Sequence, residues 1–246
     1  MKKLKAFLSN ILQTNKNTPP KISLLIPFNG TDEQRKKVFK WLRKYWKHEL
    51  PDAEVVIGKS SMSPFCKTNA LNNAVRTSRG RVLVMIDADA YMSGAVIDRC
   101  ADRILEELDN HLWYVPYRKL YRLTKEVTDE VLASSPSSPK RLPFPLDAKY
   151  IDGDQAKSAY GHRYGAMIMM FPREAYNTLG GFDERFIGWG SEDVCILRAL
   201  DTLWGKHKTT KNAVYHMWHS IIGDNHTNRQ WEGQQQANLN NKLAMR

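Results

Sequence analysis

Three short stretches of this sequence place metal-ligating and proton-accepting side chains at spacings that chemistry can use. In the first, five apolar residues, Val82 to Ile86, run straight into Asp87-Ala88-Asp89. An apolar run of that length reads as a strand buried on both faces, and its carboxyl end is where an open α/β sheet presents ligands. Two carboxylates there form a hard-oxygen site for a divalent cation, which can bind the phosphates of an anionic substrate; the bland alternative is a pair of acids solvating a turn. The second stretch is Gly188-Trp189-Gly190-Ser191-Glu192-Asp193. Its glycines let the backbone turn tightly and leave the indole free to lie against a sugar ring, while the two acids sit at a helix start whose dipole favours their ionised form. The third is His216-Met217-Trp218-His219-Ser220. Two imidazoles three apart can converge on one cation if the chain there is helical or turned.

Regular elements must hold these stretches in place. Ile22 to Pro27 reads as a first buried strand, and Thr31 or Asp32 can cap a long helix through about Leu50. On that helix Val38, Trp41, Leu42, Tyr45 and Trp46 share one face, with basic residues opposite, and are read as core. Glu54 to Gly58 supplies a second strand, Ala70 to Thr77 a helix, and Gly80 precedes the central strand. Strand, helix, strand, helix, strand in this order predicts an α/β fold, Rossmann-like, with a mostly parallel sheet flanked by helices. Further on, a helix near Val96 to Leu108, a strand at Leu112 to Pro116, a strand at Gly165 to Pro172 and a helix from Val194 to Trp204 are expected. The proline- and serine-rich run between Ala133 and Pro145 reads as a surface loop. The expected organisation is residues 1–20 as a basic amphipathic segment and linker, then one catalytic domain over 21–246. Within it, 21–116 form a nucleotide-binding half, 117–164 an irregular region, and 165–246 an acceptor- and metal-binding half.

Composition narrows the partners. The chain has 246 residues, 42% of them apolar, which suits a folded globule and argues against disorder. A formal net charge of +11 points to an anionic partner: a sugar nucleotide, a nucleic acid, a phosphate-rich polymer or an acidic membrane surface. The basic residues are spread along the sequence and match no nucleic-acid reader motif. Leu4, Phe7, Leu8 and Ile11 lie on one helical face beside lysines, so the N-terminus could dock on acidic lipid or pack on the domain. Cys66, Cys100 and Cys195 lack metal spacing and read as reduced thiols, and no apolar run reaches the length of a membrane span. The expected location is the cytoplasm, with peripheral contact at the inner membrane face an option.

Taken together, Ile26-Pro27-Phe28-Asn29, Phe65-Cys66-Lys67-Thr68-Asn69-Ala70-Leu71-Asn72, Asp87-Ala88-Asp89, Gly188 to Asp193 and His216 to Ser220 resemble the β-1,4-galactosyltransferase family of GT-A glycosyltransferases. That resemblance implies a GT-A fold with a UDP-sugar donor and a Mn2+ (or Mg2+) cofactor. It implies donor contacts from Pro27, Phe28, Asn29, Phe65, Lys67, Asp87, Ala88, Asp89 and Trp189, with Phe65 on the base and Lys67 at phosphate. The family has arginine at the position of Lys67, so a bidentate contact becomes a point charge. It further implies that Glu192 binds sugar hydroxyls, that Asp193 removes the acceptor's proton, and that Asp89, His216 and His219 ligate the metal. The family has methionine where this chain has His216, a change toward a harder ligand. The expected activity is transfer of a hexose or N-acetylhexosamine to an acceptor hydroxyl with inversion. A carbohydrate, glycolipid or modified-DNA acceptor remains open, as does a nucleic-acid-binding or catalytically silent sugar-binding protein.

Overall fold

The structure, a computed structural model, describes residues 18–30, 32–142, 145, 167–188 and 190–219. The N-terminal amphipathic segment, Thr31, Trp189, Ser220 and the tail after it lie outside the described residues. Strand β1 (Ile22–Pro27), helix α1 (Glu33–Glu49), β2 (Glu54–Gly58), α2 (Lys67–Thr77) and β3 (Val82–Ile86) follow one another as expected. Both β2 and β3 pair parallel to β1. After β4 (Ala90–Tyr91), α3 (Gly94–Glu106), β5 (Tyr114–Val115), β6 (Lys119–Arg122) and α4 (Lys125–Ala133) comes β7 (Ile168–Pro172). The chain continues through α5 (Arg173–Leu179), α6 (Glu192–Leu203), β8 (Lys208–Thr209) and β9 (Ala213–His216).

The main sheet has the order β2-β1-β3-β7-β5-β8. Every residue of β1, β3 and β7 is buried, so these three strands form the middle of the core. Strand β7 runs antiparallel to β3 and sets Ile168 opposite Ile86. One step further the Asp87 amide donates to the Met167 carbonyl at 3.0 Å, so the backbone that carries the Asp-Ala-Asp stretch is held by the second half of the chain. A small sheet, β4-β9-β6, stands beside the first. In it Ala90 pairs with His216, and the Met217 amide donates to the Asp89 carbonyl at 2.8 Å. This register joins two sequence stretches more than a hundred residues apart.

Helix α1 starts where its sequence predicts. The Asp32 carboxylate accepts from the Arg35 amide at 2.7 Å, satisfying one of the free donors of the first turn. Val38, Trp41, Leu42, Tyr45 and Trp46 are buried, and two of them are anchored at their polar ends: Trp41 Nε1 donates to the Ser134 carbonyl and Tyr45 Oη to the Met92 carbonyl. The region 117–164 needs a correction, because it is not irregular at its start. Residues 119–122 form β6 and 125–133 form α4, capped by Thr124. β6 exists through its parallel pairing with β9, some 90 residues later, a non-local contact that local propensity does not report. Among the described residues no helix is long and apolar enough to cross a membrane.

Gly58 ends β2 where α2 crosses it, and its carbonyl accepts from the Phe28 amide at 3.0 Å. A Cβ at Gly58 would lie 2.3 Å from the Ala70 carbonyl oxygen, a backbone atom that cannot swing away. Gly58→Ala is therefore expected to lower stability by about 1–3 kcal/mol, the usual cost of overpacking, read as a drop in denaturant midpoint at constant slope.

Candidate functional site

The stretch after β3 meets the start of α6 through Lys67 and pairs with the end of β9. Asp89, only 4% exposed, directs Oδ1 toward His216 Nε2 at 3.5 Å and Oδ2 toward His219 Nε2 at 3.2 Å. Ligand atoms of these three residues all lie within 4.8 Å of one another, and no other such His/Cys/Asp/Glu group occurs among the described residues. Burial lowers the His216 pKa to about 4 against the pull of Asp89, so its imidazole is neutral at pH 7 and keeps a lone pair for a metal. Although burial opposes it, the neighbouring His216, His219 and Arg35 hold the Asp89 carboxyl well below the usual carboxylate range. One carboxylate oxygen and two imidazole nitrogens suit manganese or a similar borderline ion, so the donor set fits the metal that the sequence implies.

The second group lies next to the first. Lys67, in the first turn of α2, places Nζ 2.6 Å from Asp87 Oδ1 and 3.3 Å from Glu192 Oε1. Glu192 Oε2 accepts from the Gly190 amide at 3.2 Å, closing the turn ahead of α6. Ser191, just before that helix, has φ 66°, a left-handed conformation that aims the two acids inward. Asp193 Oδ1 accepts from the Val194 amide at 2.8 Å. Burial, reinforced by Glu192 and Asp87 and opposed by Lys67, raises the Asp193 pKa to about 6. Burial likewise raises Asp87, with Lys67 opposing it. Among the described residues Asp87, Asp89 and Glu192 pair with the side-chain cations Arg35 and Lys67, and Asp193 lies beside them as a further carboxylate. The excess of negative charge is what a divalent cation would offset.

A family model described as the N-terminal domain of galactosyltransferase matches residues 153–201, a span that includes Gly188 to Asp193. That span is 49 of the 246 residues, and over it the chain is similar to galactosyltransferases. Among solved structures it is similar to the catalytic domain of Drosophila β1,4-galactosyltransferase 7 in complex with xylobiose, at 14% identity and a TM-score of 0.42, over 80% of this chain and 71% of that one. It is also similar to TarS of S. aureus, at 12% identity and a TM-score of 0.47, over 80% of this chain and 36% of that one. No curated protein sequence matches it.

The structure brings together Lys67, Asp87, Glu192 and Asp193 as one cluster and Asp89, His216 and His219 as its neighbour. Ala88 is buried between the two acids of its stretch, Pro27 closes β1, and Asn29 is exposed beyond it. Phe28 stacks on Phe39 of α1, ring centroids 4.0 Å apart, and Phe65 is half-buried beside the bridge between Cys66 and Gly188. Trp189, the expected sugar platform, lies outside the described residues. The expectation for Lys67 needs qualifying in physical terms: its ammonium is already engaged by two carboxylates, which raise its pKa against the effect of burial.

Two residues of the site carry no motif. Arg35, in the first turn of α1, places a guanidinium nitrogen 2.8 Å from Asp89 Oδ2. Tyr117 Oη accepts from the Met167 amide at 2.9 Å and feels the charges of Asp87 and Asp193, with burial pushing its own pKa up. The signal for Arg35 was its position, a cation one helical turn after the loop that ends β1. For Tyr117 no local pattern existed.

Proposed function

We propose that this protein is a glycosyltransferase that uses a divalent metal, Mn2+ or Mg2+, to move a hexose or N-acetylhexosamine from a UDP-sugar to an acceptor hydroxyl, with inversion and with Asp193 as general base. The observation that carries this reading is the adjacency of a three-ligand cluster, Asp89 with His216 and His219, and a buried carboxylate of raised pKa, Asp193. Carboxylates with perturbed pKa values cluster at functional sites.

The roles follow from charge. Asp89, His216 and His219 would hold the ion, which when bound supplies Lewis-acid neutralisation of the charge that develops on the departing diphosphate. Arg35 adds a second positive charge at the same edge. Asp193, ionised above pH about 6, accepts the proton of the acceptor hydroxyl. That oxygen bonds to the anomeric carbon as the bond from the carbon to the diphosphate oxygen breaks, and the electron pair leaves with UDP. Lys67 and Glu192 hold Asp87 and the turn before α6, keeping Asp193 in place.

A pH profile tests the base directly. A base of pKa about 6 that must be ionised to act gives kcat/KM that falls roughly tenfold per pH unit below 6 and is flat from about 7 upward. A profile that stays flat down to pH 5 would remove Asp193 from the role. Thermal shift with a panel of UDP-sugars, with and without manganese, tests the donor. The expected result is stabilisation that needs both ligands, and a donor-specific shift independent of metal would contradict the metal requirement.

A further inference from the structure

Helix α1 begins at the metal cluster, where Arg35 reaches Asp89, and runs away from it. Along its outer face lies a groove of about 430 Å³. Lys36, Lys40, Arg43, Lys44 and Lys47 form its walls, and Phe28 and Phe39 its floor. All five cations are exposed, and no carboxylate lines the groove. Lys36 shares its charge with Glu33 at 2.6 Å, and the Arg43 guanidinium lies over the Phe39 ring at 5.9 Å. Lys36, Lys40, Lys44 and Lys47 stand on successive turns, so positive charge recurs about every 6 Å over roughly 16 Å of helix. The basic residues opposite the core face of α1 thus form one row.

Such a row selects a polymer with regularly spaced anions over a single small anion. The floor narrows the choice. The half-buried Phe28 ring, backed by the buried Phe39 on which it stacks, lies between cationic walls and suits a strand that offers phosphates on its edges and flat apolar faces between them, the arrangement by which proteins hold single-stranded nucleic acid. A polyol phosphate chain has no flat face to lay on that floor. An acidic membrane would call for apolar side chains inserted beside the cations, and among the described residues Leu203, on α6, is the large hydrophobic residue left exposed. The walls hold no Asn, Gln or Glu to read base edges, so contact would be with the backbone and largely indifferent to sequence.

We infer that this groove is a binding site for a single strand of nucleic acid and that the strand is the acceptor, its reacting hydroxyl carried on a base. This rests on the transferase reading above and extends it to the acceptor class. The transfer keeps the same balance: the base hydroxyl oxygen bonds to the anomeric carbon, its proton passes to Asp193, and UDP departs with the electron pair.

The test follows binding of a fluorescein-labelled single-stranded DNA by anisotropy across a salt series. Wild type is compared with Lys40→Gln/Lys44→Gln/Lys47→Gln, a change at exposed positions to another good helix former. Loss of three cations is expected to weaken binding at least tenfold at low salt and to make the slope of log K against log salt shallower by about 2, near 0.7 per charge for a single strand. Unchanged affinity and slope would overturn the proposal. So would tighter binding of wild type to a glycerol phosphate polymer, or to phosphatidylglycerol vesicles, than to the oligonucleotide. The same variant should keep its manganese-dependent thermal shift with a UDP-sugar, which also shows that it is folded. A wild type that holds the oligonucleotide yet gives no such shift would sink the transferase reading and leave the groove standing. A normal shift without oligonucleotide binding would sink the groove alone. The acceptor assignment is read by sugar transfer to an oligonucleotide carrying hydroxymethylated pyrimidines, for which the triple variant raises KM and leaves kcat unchanged; absence of transfer to it refutes that assignment.

Discussion

Asp193→Asn lowers kcat for sugar transfer by roughly 10²- to 10⁴-fold, the range a positioned general base supplies, while UDP-sugar and manganese binding stay within about twofold of wild type. The amide fits the same space and can still accept from the Val194 amide, so the start of α6 keeps its shape. What disappears is the basic lone pair. Stability separates this from a structural role. The folded-state pKa of Asp193, about 6, lies above the value near 3.9 expected for an unfolded aspartate, so ionising it costs the folded state more than the unfolded one. That penalty is absent below pH about 4, grows between 4 and 6, and persists at neutral pH. The asparagine variant should then melt no lower than wild type at pH 7, with any advantage gone at pH 4. A variant that has lost transfer, donor binding and stability together would mean that Asp193 shapes the turn and does not act as base.

Asp89→Asn is expected to weaken manganese binding by at least about 10²-fold and to abolish transfer with it, since a charged ligand matters more than the outer partners whose loss costs 10- to 100-fold. His216→Ala should do the same through a neutral ligand. Arg35→Gln should act in the opposite direction on the metal: its guanidinium already pairs with the Asp89 carboxylate that would hold the ion, and removing one cation favours the other. Titrating Mn2+ by electron paramagnetic resonance, with no nucleotide present, reads all three. Equal affinity in wild type and Asp89→Asn would place the ion elsewhere. Unfolding is a lesser concern for Asp89→Asn than for a deeply enclosed ion pair, because Arg35 is 37% exposed and can turn to water.

Asp193→Asn and Asp89→Asn probe the parts of the site that local sequence made legible. An apolar run ending in Asp-Ala-Asp identifies β3 and its ligand-facing end whatever surrounds it, because burial on both faces demands continuous hydrophobicity. The 3.6-residue spacing of Val38, Trp41, Leu42 and Tyr45, with Asp32 ahead of it, was enough for α1 and its cap. The family resemblance pointed to Asp89, His216 and His219 as a ligand set, and their donor atoms lie within 4.8 Å of one another.

What sequence could not decide was which of these groups touch. Asp89 meets His216 because β9 pairs with β4, and β6 exists because it pairs with β9; cross-strand pairs are chosen by packing of the whole chain, not by neighbours along it. The engagement of Lys67 by Asp87 and Glu192, the arrival of Arg35 at Asp89, and the burial that lifts Asp193 toward neutrality all depend on distances and local dielectric that exist only once the two halves close on each other. The same holds for the row of lysines on α1. The helical period places them on one side, but only the fold sets Phe28 from the end of β1 beneath them and leads the row to the metal cluster.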